Sequence, residues 1–292
     1  MNAFPLPTLG GKVFWADLRV VGGWRIQRHV KSRKYRLLDE RDFLRATGSR
    51  EKCDAALAAA QAEGKALNTS NRLCLLIHGH GRSKDSFKAL ARELREAGYD
   101  AYGVNYPGSQ APAEELIDQI RTLMLDFWQE YEQIDIVTRS LGALLVRGAI
   151  HEEEWNRVHR LVMLGAPNQG AYFADWFMKG PMAPLYHATA GPVGKAMGTG
   201  PESLASRVGI PKCEFGIIAG GRNNERGFNP LIPGDDDGIV EVSSTKLEGM
   251  TDFIVLPVFH AAMIAHKETR RQVHHFLEHG RFDHGVQQSG GD

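Results

Sequence analysis

The sequence predicts an α/β fold: a doubly wound, mostly parallel sheet with a small N-terminal antiparallel β appendage and a helical cap or lid insertion. Three observations point there. From Arg72 onward, short apolar runs alternate with stretches whose apolar residues recur at helical spacing, the pattern of buried strands joined by crossover helices. Before Arg72 the chain alternates residue by residue and is rich in aromatics, as half-buried antiparallel strands are. Residues 170–211 interrupt the strand–helix rhythm with glycines, prolines and aromatic side chains.

In order along the chain, Val13, Phe14, Trp15, Trp24, Ile26, Tyr35 and Leu37 mark a meander between Lys12 and Leu38, broken at Gly22-Gly23 and at Lys31-Ser32-Arg33. A helix is expected over Ser49–Glu63, with Ala56, Leu57 and Ala60 on one side and Gly64 as its stop. Leu73–Ile77 is a continuous apolar strand. Ser86–Ala97 follows as a helix with Phe87, Leu90 and Leu94 on one face and Gly98 at its end. Tyr99–Tyr106 reads as a strand closed by Pro107-Gly108, and Glu114–Tyr131 as a long amphipathic helix bearing Leu116, Ile120, Leu123 and Phe127. Strand, turn and helix are expected over Ile134–Ile150. Further strands fall at Leu161–Leu164, Phe215–Ala219 and Ile254–Val258, the last followed by a helix through Arg271 to Phe276. This divides the chain into an appendage (1–70), a main domain (71–284) and a polar tail (285–292) expected to be disordered. The Arg- and Lys-rich appendage reads either as a binding surface or as a solvated sheet packed on the main domain.

Composition bounds the function. The chain has 292 residues, of which 42% are hydrophobic, so it can build a sizeable core and global disorder is excluded. Lys plus Arg (35) balances Asp plus Glu (35), so nothing argues for a nucleic-acid or anionic-membrane partner. Cys53, Cys74 and Cys213 have no paired metal spacing, and so sparse a set fits a reducing compartment. Met1–Gly11 lacks a basic patch followed by an apolar core and does not read as a secretory signal. No apolar stretch reaches the length of a bilayer span. A cytoplasmic protein without metal or cofactor is expected.

Four places carry the chemistry, each following an expected strand. The first is Thr138-Arg139-Ser140-Leu141-Gly142, between the apolar run Ile134–Val137 and the helix opening at Ala143. A serine at the apex of a strand–turn–helix is held out on a strained turn, as a nucleophile elbow requires, and Gly142 lets the helix pack close to the strand. The plainer reading is Ser140 as an ordinary helix N-cap. The second is Leu75-Leu76-Ile77-His78-Gly79-His80-Gly81, a glycine-containing turn whose backbone can face a developing oxyanion. The N–H groups of His80 and Leu141 are the expected donors, and no Lys-Ser/Thr closes the turn as a phosphate loop. The third is Gly234-Asp235-Asp236-Asp237-Gly238-Ile239-Val240. Its spacing is not that of an EF-hand, and Asp237 is the expected acid because it directly precedes glycine and the apolar pair. The fourth is Leu256-Pro257-Val258-Phe259-His260. Here His260 competes with His266, His274 and His275 and is favoured by its place after the last strand.

Oxyanion loop, serine, acid and histidine occur in one order. Through these residues, together with Leu164-Gly165-Ala166-Pro167-Asn168-Gln169-Gly170, the chain resembles the α/β-hydrolase family and within it bacterial lipases and esterases. The resemblance covers roughly Arg72 to Phe282. It implies an α/β-hydrolase fold and supports Asp237 as triad acid beside Ser140 and His260. The family usually carries histidine before the nucleophile, where this chain has Arg139, so the substrate pocket is expected to differ. His78, Gly79, Arg139, Phe173, Trp176 and Phe177 are the expected substrate contacts. Tyr172, Phe173, Trp176, Phe177, Met178, Met182, Leu185 and Tyr186 make residues 170–211 either a mobile apolar lid or a packed helical insertion. The expectation is a carboxylic ester hydrolase acting on a small-molecule or lipid ester. A thioesterase, amidase or lactonase with the same triad, or a non-catalytic binding module, are the alternatives.

Overall fold

The computed structural model describes residues 14–180, 183–184 and 190–285. The expected tail beyond Gly285, Lys12 and Val13 of the meander, and Met182, Leu185 and Tyr186 of the insertion lie outside the described residues.

Six strands form one sheet: β5 (Arg72–Ile77), β6 (Asp100–Val104), β7 (Gln133–Arg139), β8 (Val158–Leu164), β9 (Glu214–Gly220) and β10 (Asp252–Leu256). Their order is β10-β9-β8-β7-β5-β6 and every pairing is parallel. Parallel strands covered on both sides read as unbroken apolar runs, and β5 shows why. Leu73, Leu75 and Ile77 belong to the cluster beneath α3 (Ala113–Phe127) and α4 (Leu141–Ala149). Cys74 and Leu76 point the other way, into the cluster with Leu90 and Leu94 of α2 (Lys88–Glu96) and Phe276 of the C-terminal helix Lys267–His279. The sheet is therefore doubly wound. The order reverses between β5 and β7, so the loops leaving those two strands open side by side at their carboxyl ends, the usual place for a ligand in such sheets.

The N-terminal sheet is antiparallel, in the order β1 (Trp15–Val21), β2 (Trp24–His29), β3 (Tyr35–Leu38) and β4 (Leu44–Gly48). The fourth strand extends the meander beyond Leu38. One face packs Val21, Trp24, Ile26 and Leu37 against Cys53, Leu57 and Ala60 of α1 (Arg50–Ala62). That helix is N-capped by Ser49, whose side chain accepts from the Lys52 N–H at 3.4 Å. Val20 lies in the main apolar cluster, and the Asp17 N–H donates to the Asn105 carbonyl at 2.9 Å, so β1 is fastened at the end of β6. Among the described residues no helix is long and apolar enough to cross a membrane.

The described residues of 170–211 include α5 (Tyr172–Lys179) and the single turns Gly191–Gly194 and Leu204–Arg207. The C-terminal helix, α6, ends at Gly280, whose φ of 69° is the left-handed cap that glycine favours.

Candidate active site

β7 delivers Ser140. Its backbone sits at φ 52° and ψ −125°, a conformation that costs a side-chain-bearing residue strain and persists only where the surroundings enforce it. The enforcement is visible. The Ser140 N–H donates to the Leu164 carbonyl of β8 at 2.9 Å. On the other side α4 lies so close to β5 that a Cβ on Gly142 would stand 2.5 Å from the Ile77 carbonyl oxygen and 2.6 Å from that of His78. Thr138, two positions before the serine, is fully buried with its hydroxyl 3.4 Å from the Val162 carbonyl oxygen.

His260 follows β10 on a single turn, His260–Ala262, and is 4% exposed. Its Nδ1 lies 2.6 Å from Asp237 Oδ2. Asp237 Oδ1 accepts the Ile239 and Val240 N–H groups at 3.1 and 2.8 Å, which fixes the carboxylate plane. Main-chain bonds lock the same pair, since the His260 N–H donates to the Asp237 carbonyl at 2.7 Å. The end of β8 leaves room for it: a Cβ on Gly165, whose φ is +51°, would come within 3.0 Å of Asp237 Oδ2 and 3.1 Å of His260 Nδ1. An aspartate holding Nδ1 leaves Nε2 as the nitrogen available to a substrate or nucleophile. The neighbouring carboxylates turn elsewhere. Asp235 accepts the Arg222 and Asn223 N–H groups, and Asp236 those of Asn229 and Gly238. Among the described residues no group of three or more His, Cys, Asp or Glu is placed to hold a metal ion.

Ser140 and His260 line one cavity of about 310 Å³ together with His80, Arg82, Arg139, Phe173, Ala174, Phe177, Met197, Ile239 and Val240. Asp237 stands behind His260, 1% exposed. Among the described residues no hydrogen bond joins the Ser140 hydroxyl to His260, and such contacts tighten once substrate is bound. Leu141 opens α4, where the first N–H groups have no intrahelical acceptor. Among the described residues neither its N–H nor that of His80 donates to another group. The His80 ring is committed to the Ala190 carbonyl at 2.7 Å.

Arg139 is 4% exposed; burial first, then the like charge of Arg82, lowers its pKa to about 10. Its Nη2 donates to the His260 carbonyl at 2.7 Å, so the residue that replaces the usual histidine braces the histidine loop.

Three expected substrate contacts do not line this cavity. His78 is fully buried, stacked on Tyr106 with ring centroids 4.0 Å apart, with Nδ1 2.8 Å from the Gly79 carbonyl oxygen; the Tyr106 hydroxyl donates to the His78 carbonyl. Gly79 leaves no room for a side chain: a Cβ there would stand 2.9 Å from Arg139 Nη1, 3.1 Å from Ser140 Cβ and 3.2 Å from the Arg139 carbonyl oxygen. Trp176 is 36% exposed and stacks on Phe173 from outside. Arg82, Ala174 and Met197 line the cavity without having been singled out from sequence. For Arg82 the signal was present, a basic residue in the glycine-containing loop after β5.

No family model and no curated protein matches the sequence. The fold is similar to that of Bacillus licheniformis lipase BlEst2 in its mature form, with a TM-score of 0.59 and 18% identity over 72% of this chain and 92% of that one. It is equally similar to the propeptide form of that lipase, with the same TM-score, identity and share of this chain but 50% of the other. At this identity the likeness concerns the fold, which is the α/β-hydrolase fold.

Proposed function

We propose that this chain, with its α/β-hydrolase fold, is a serine hydrolase that cleaves carboxylic esters through an acyl-enzyme intermediate. The observation that carries the reading is the convergence of a serine at positive φ and an Asp-paired histidine on one largely apolar cavity. In this mechanism His260 Nε2 takes the Ser140 proton as Oγ attacks the ester carbonyl carbon. The His80 and Leu141 N–H groups face the resulting oxyanion. Collapse of the tetrahedral intermediate breaks the bond to the alcohol, which leaves with the proton from His260. Water then attacks the acyl group, gives its proton to His260, and Ser140 is released with the carboxylic acid. Asp237 holds the imidazole orientation and balances its charge in both halves. Phe173, Phe177 and Met197 would receive the acyl chain. The similarity in fold to a bacterial lipase is consistent with this substrate class.

The test is hydrolysis of p-nitrophenyl esters from acetate to palmitate, wild type beside Ser140→Ala, with fluorophosphonate labelling of both. Wild-type turnover that falls by roughly three or more orders of magnitude in Ser140→Ala is expected. Equal activity in both proteins would refute Ser140 as nucleophile. Labelling of Ser140 without ester turnover would move the substrate to thioesters or amides.

A further inference from the structure

We infer that Arg82 makes this site selective for esters whose alcohol portion carries an anionic group, a phosphate or a carboxylate. The inference rests on the hydrolase reading and names its substrate class. Arg82 follows the oxyanion loop, is exposed, and lines the cavity that holds Ser140 and His260. It also lines a second, adjoining cavity of about 490 Å³, walled by Ser83, Ser86 and Ser109. The residue thus stands on the seam between an apolar chamber and a polar one.

Charge around it is one-sided. Two guanidinium groups, Arg82 and Arg139, line the chamber of Ser140, and no carboxylate lines it among the described residues. Asp237 lies behind the imidazole and is occupied by it. Asp85, in the polar cavity, is drawn to Lys84 and Lys88 at 3.6 and 3.2 Å. Arg139 is spent on the His260 carbonyl, whereas the Arg82 side chain makes no ion pair or hydrogen bond among the described residues. A free guanidinium presents a planar fork that matches phosphate and carboxylate oxygens. An acyl chain laid against Phe173, Phe177 and Met197 leaves the alcohol portion for the seam, where Arg82 meets it.

The experiment compares kcat/KM for three esters of one acyl chain, octanoylglycerol, octanoylglycerol phosphate and the octanoyl ester of glyceric acid, below their micellar range. Wild type, Arg82→Ala, Arg82→Lys and Ser140→Ala are measured with each. Wild type is expected to prefer an anionic ester over the neutral one by at least about tenfold, as a charge-assisted hydrogen bond supports. Arg82→Ala collapses that ratio, mainly through KM, and Arg82→Lys restores part of it. Salt weakens the wild-type preference because the contact is exposed. Preference for the phosphate alone, or for both anions, assigns the group. No wild-type preference, or a preference that survives Arg82→Ala, overturns the proposal; a structural role for Arg82 would depress all three esters and leave the ratio intact. If wild type cleaves none of them and fluorophosphonate leaves Ser140 unlabelled, the hydrolase reading falls and this inference with it.

Discussion

At the scale of single residues, the loop that carries the expected oxyanion donor rests on a histidine that burial keeps neutral well below its ordinary pKa. Burial lowers the His78 pKa from 6.5 to about 4. The folded protein therefore binds fewer protons than the unfolded chain once the pH drops below 6.5. The stabilisation is fully present above that value and is lost as pH falls toward 4. Between pH 7 and pH 5 this group alone should remove about 2 kcal/mol. His78→Phe keeps an aromatic ring on Tyr106 and has no proton to gain. Urea denaturation at the two pH values should show the wild type losing about 2 kcal/mol more than the variant. Parallel losses would mean that His78 titrates normally in the fold. Sequence spacing located this residue beside the site but not its orientation: His78 and His80 flank one glycine, yet one ring packs inward and the other reaches Ala190.

Among the elements, the junction of β5, β7 and α4 decides whether the nucleophile is presented. Alanine in place of Gly142 would normally favour a helix by about 1 kcal/mol. Here its Cβ would fall 2.5 Å from a main-chain oxygen that cannot move without β5. Overpacking of this kind costs about 1–3 kcal/mol, so strain outweighs propensity and Gly142→Ala should be less stable than wild type in urea. A more stable Gly142→Ala would show that α4 has slack. The same contrast explains what was legible. The strands of the main sheet are covered on both faces, so they survive in the sequence as apolar runs, and the chain order of Ser140, Asp237 and His260 follows from where those runs end. β4 was not legible: Leu44–Gly48 is nowhere fully buried, and its alternation rests on Leu44 and the small Ala46 alone, too short and too weakly apolar to stand out. The helix expected to run to Tyr131 stops at Phe127, because Trp128–Tyr131 continue as turns that still bury Trp128 and Tyr131. In α5, Phe173 and Phe177 share a face with Ala174, which turns Trp176 away from the cavity; aromatic content alone could not set that phase.

For the whole molecule, the question is whether the N-terminal sheet is an appendage or part of one cooperative unit, and Asp17 is where it can be asked. This fully buried carboxylate accepts Arg25 Nη1, Gln27 Nε2 and the Asn105 N–H, each at 2.7 Å. Gln119 of α3 donates to both the Asp17 and Asn105 carbonyls, at 3.1 and 3.0 Å. The carboxylate thus ties β1 and β2 to the end of β6, and the Asp17 and Asn105 carbonyls carry the tie on to α3. Asp17→Ala would leave Arg25, 5% exposed, with Asp42 at 3.9 Å as its one counter-charge among the described residues. Removing one partner of a buried ion pair costs about 3–5 kcal/mol, far more than an exposed pair contributes. The site of that loss separates the two architectures. With Trp128→Phe, Trp155→Phe and Trp176→Phe in place, Trp15 and Trp24 are the remaining tryptophans and report the N-terminal sheet alone. Because Val20 shares its apolar cluster with Leu73 and Leu75, the sheet should not melt by itself. Tryptophan fluorescence and far-UV circular dichroism should shift together to lower urea in Asp17→Ala, as one transition. Fluorescence that falls first, while the helical signal stays at its wild-type midpoint, would make the boundary near residue 70 a true domain boundary and the meander a separable module.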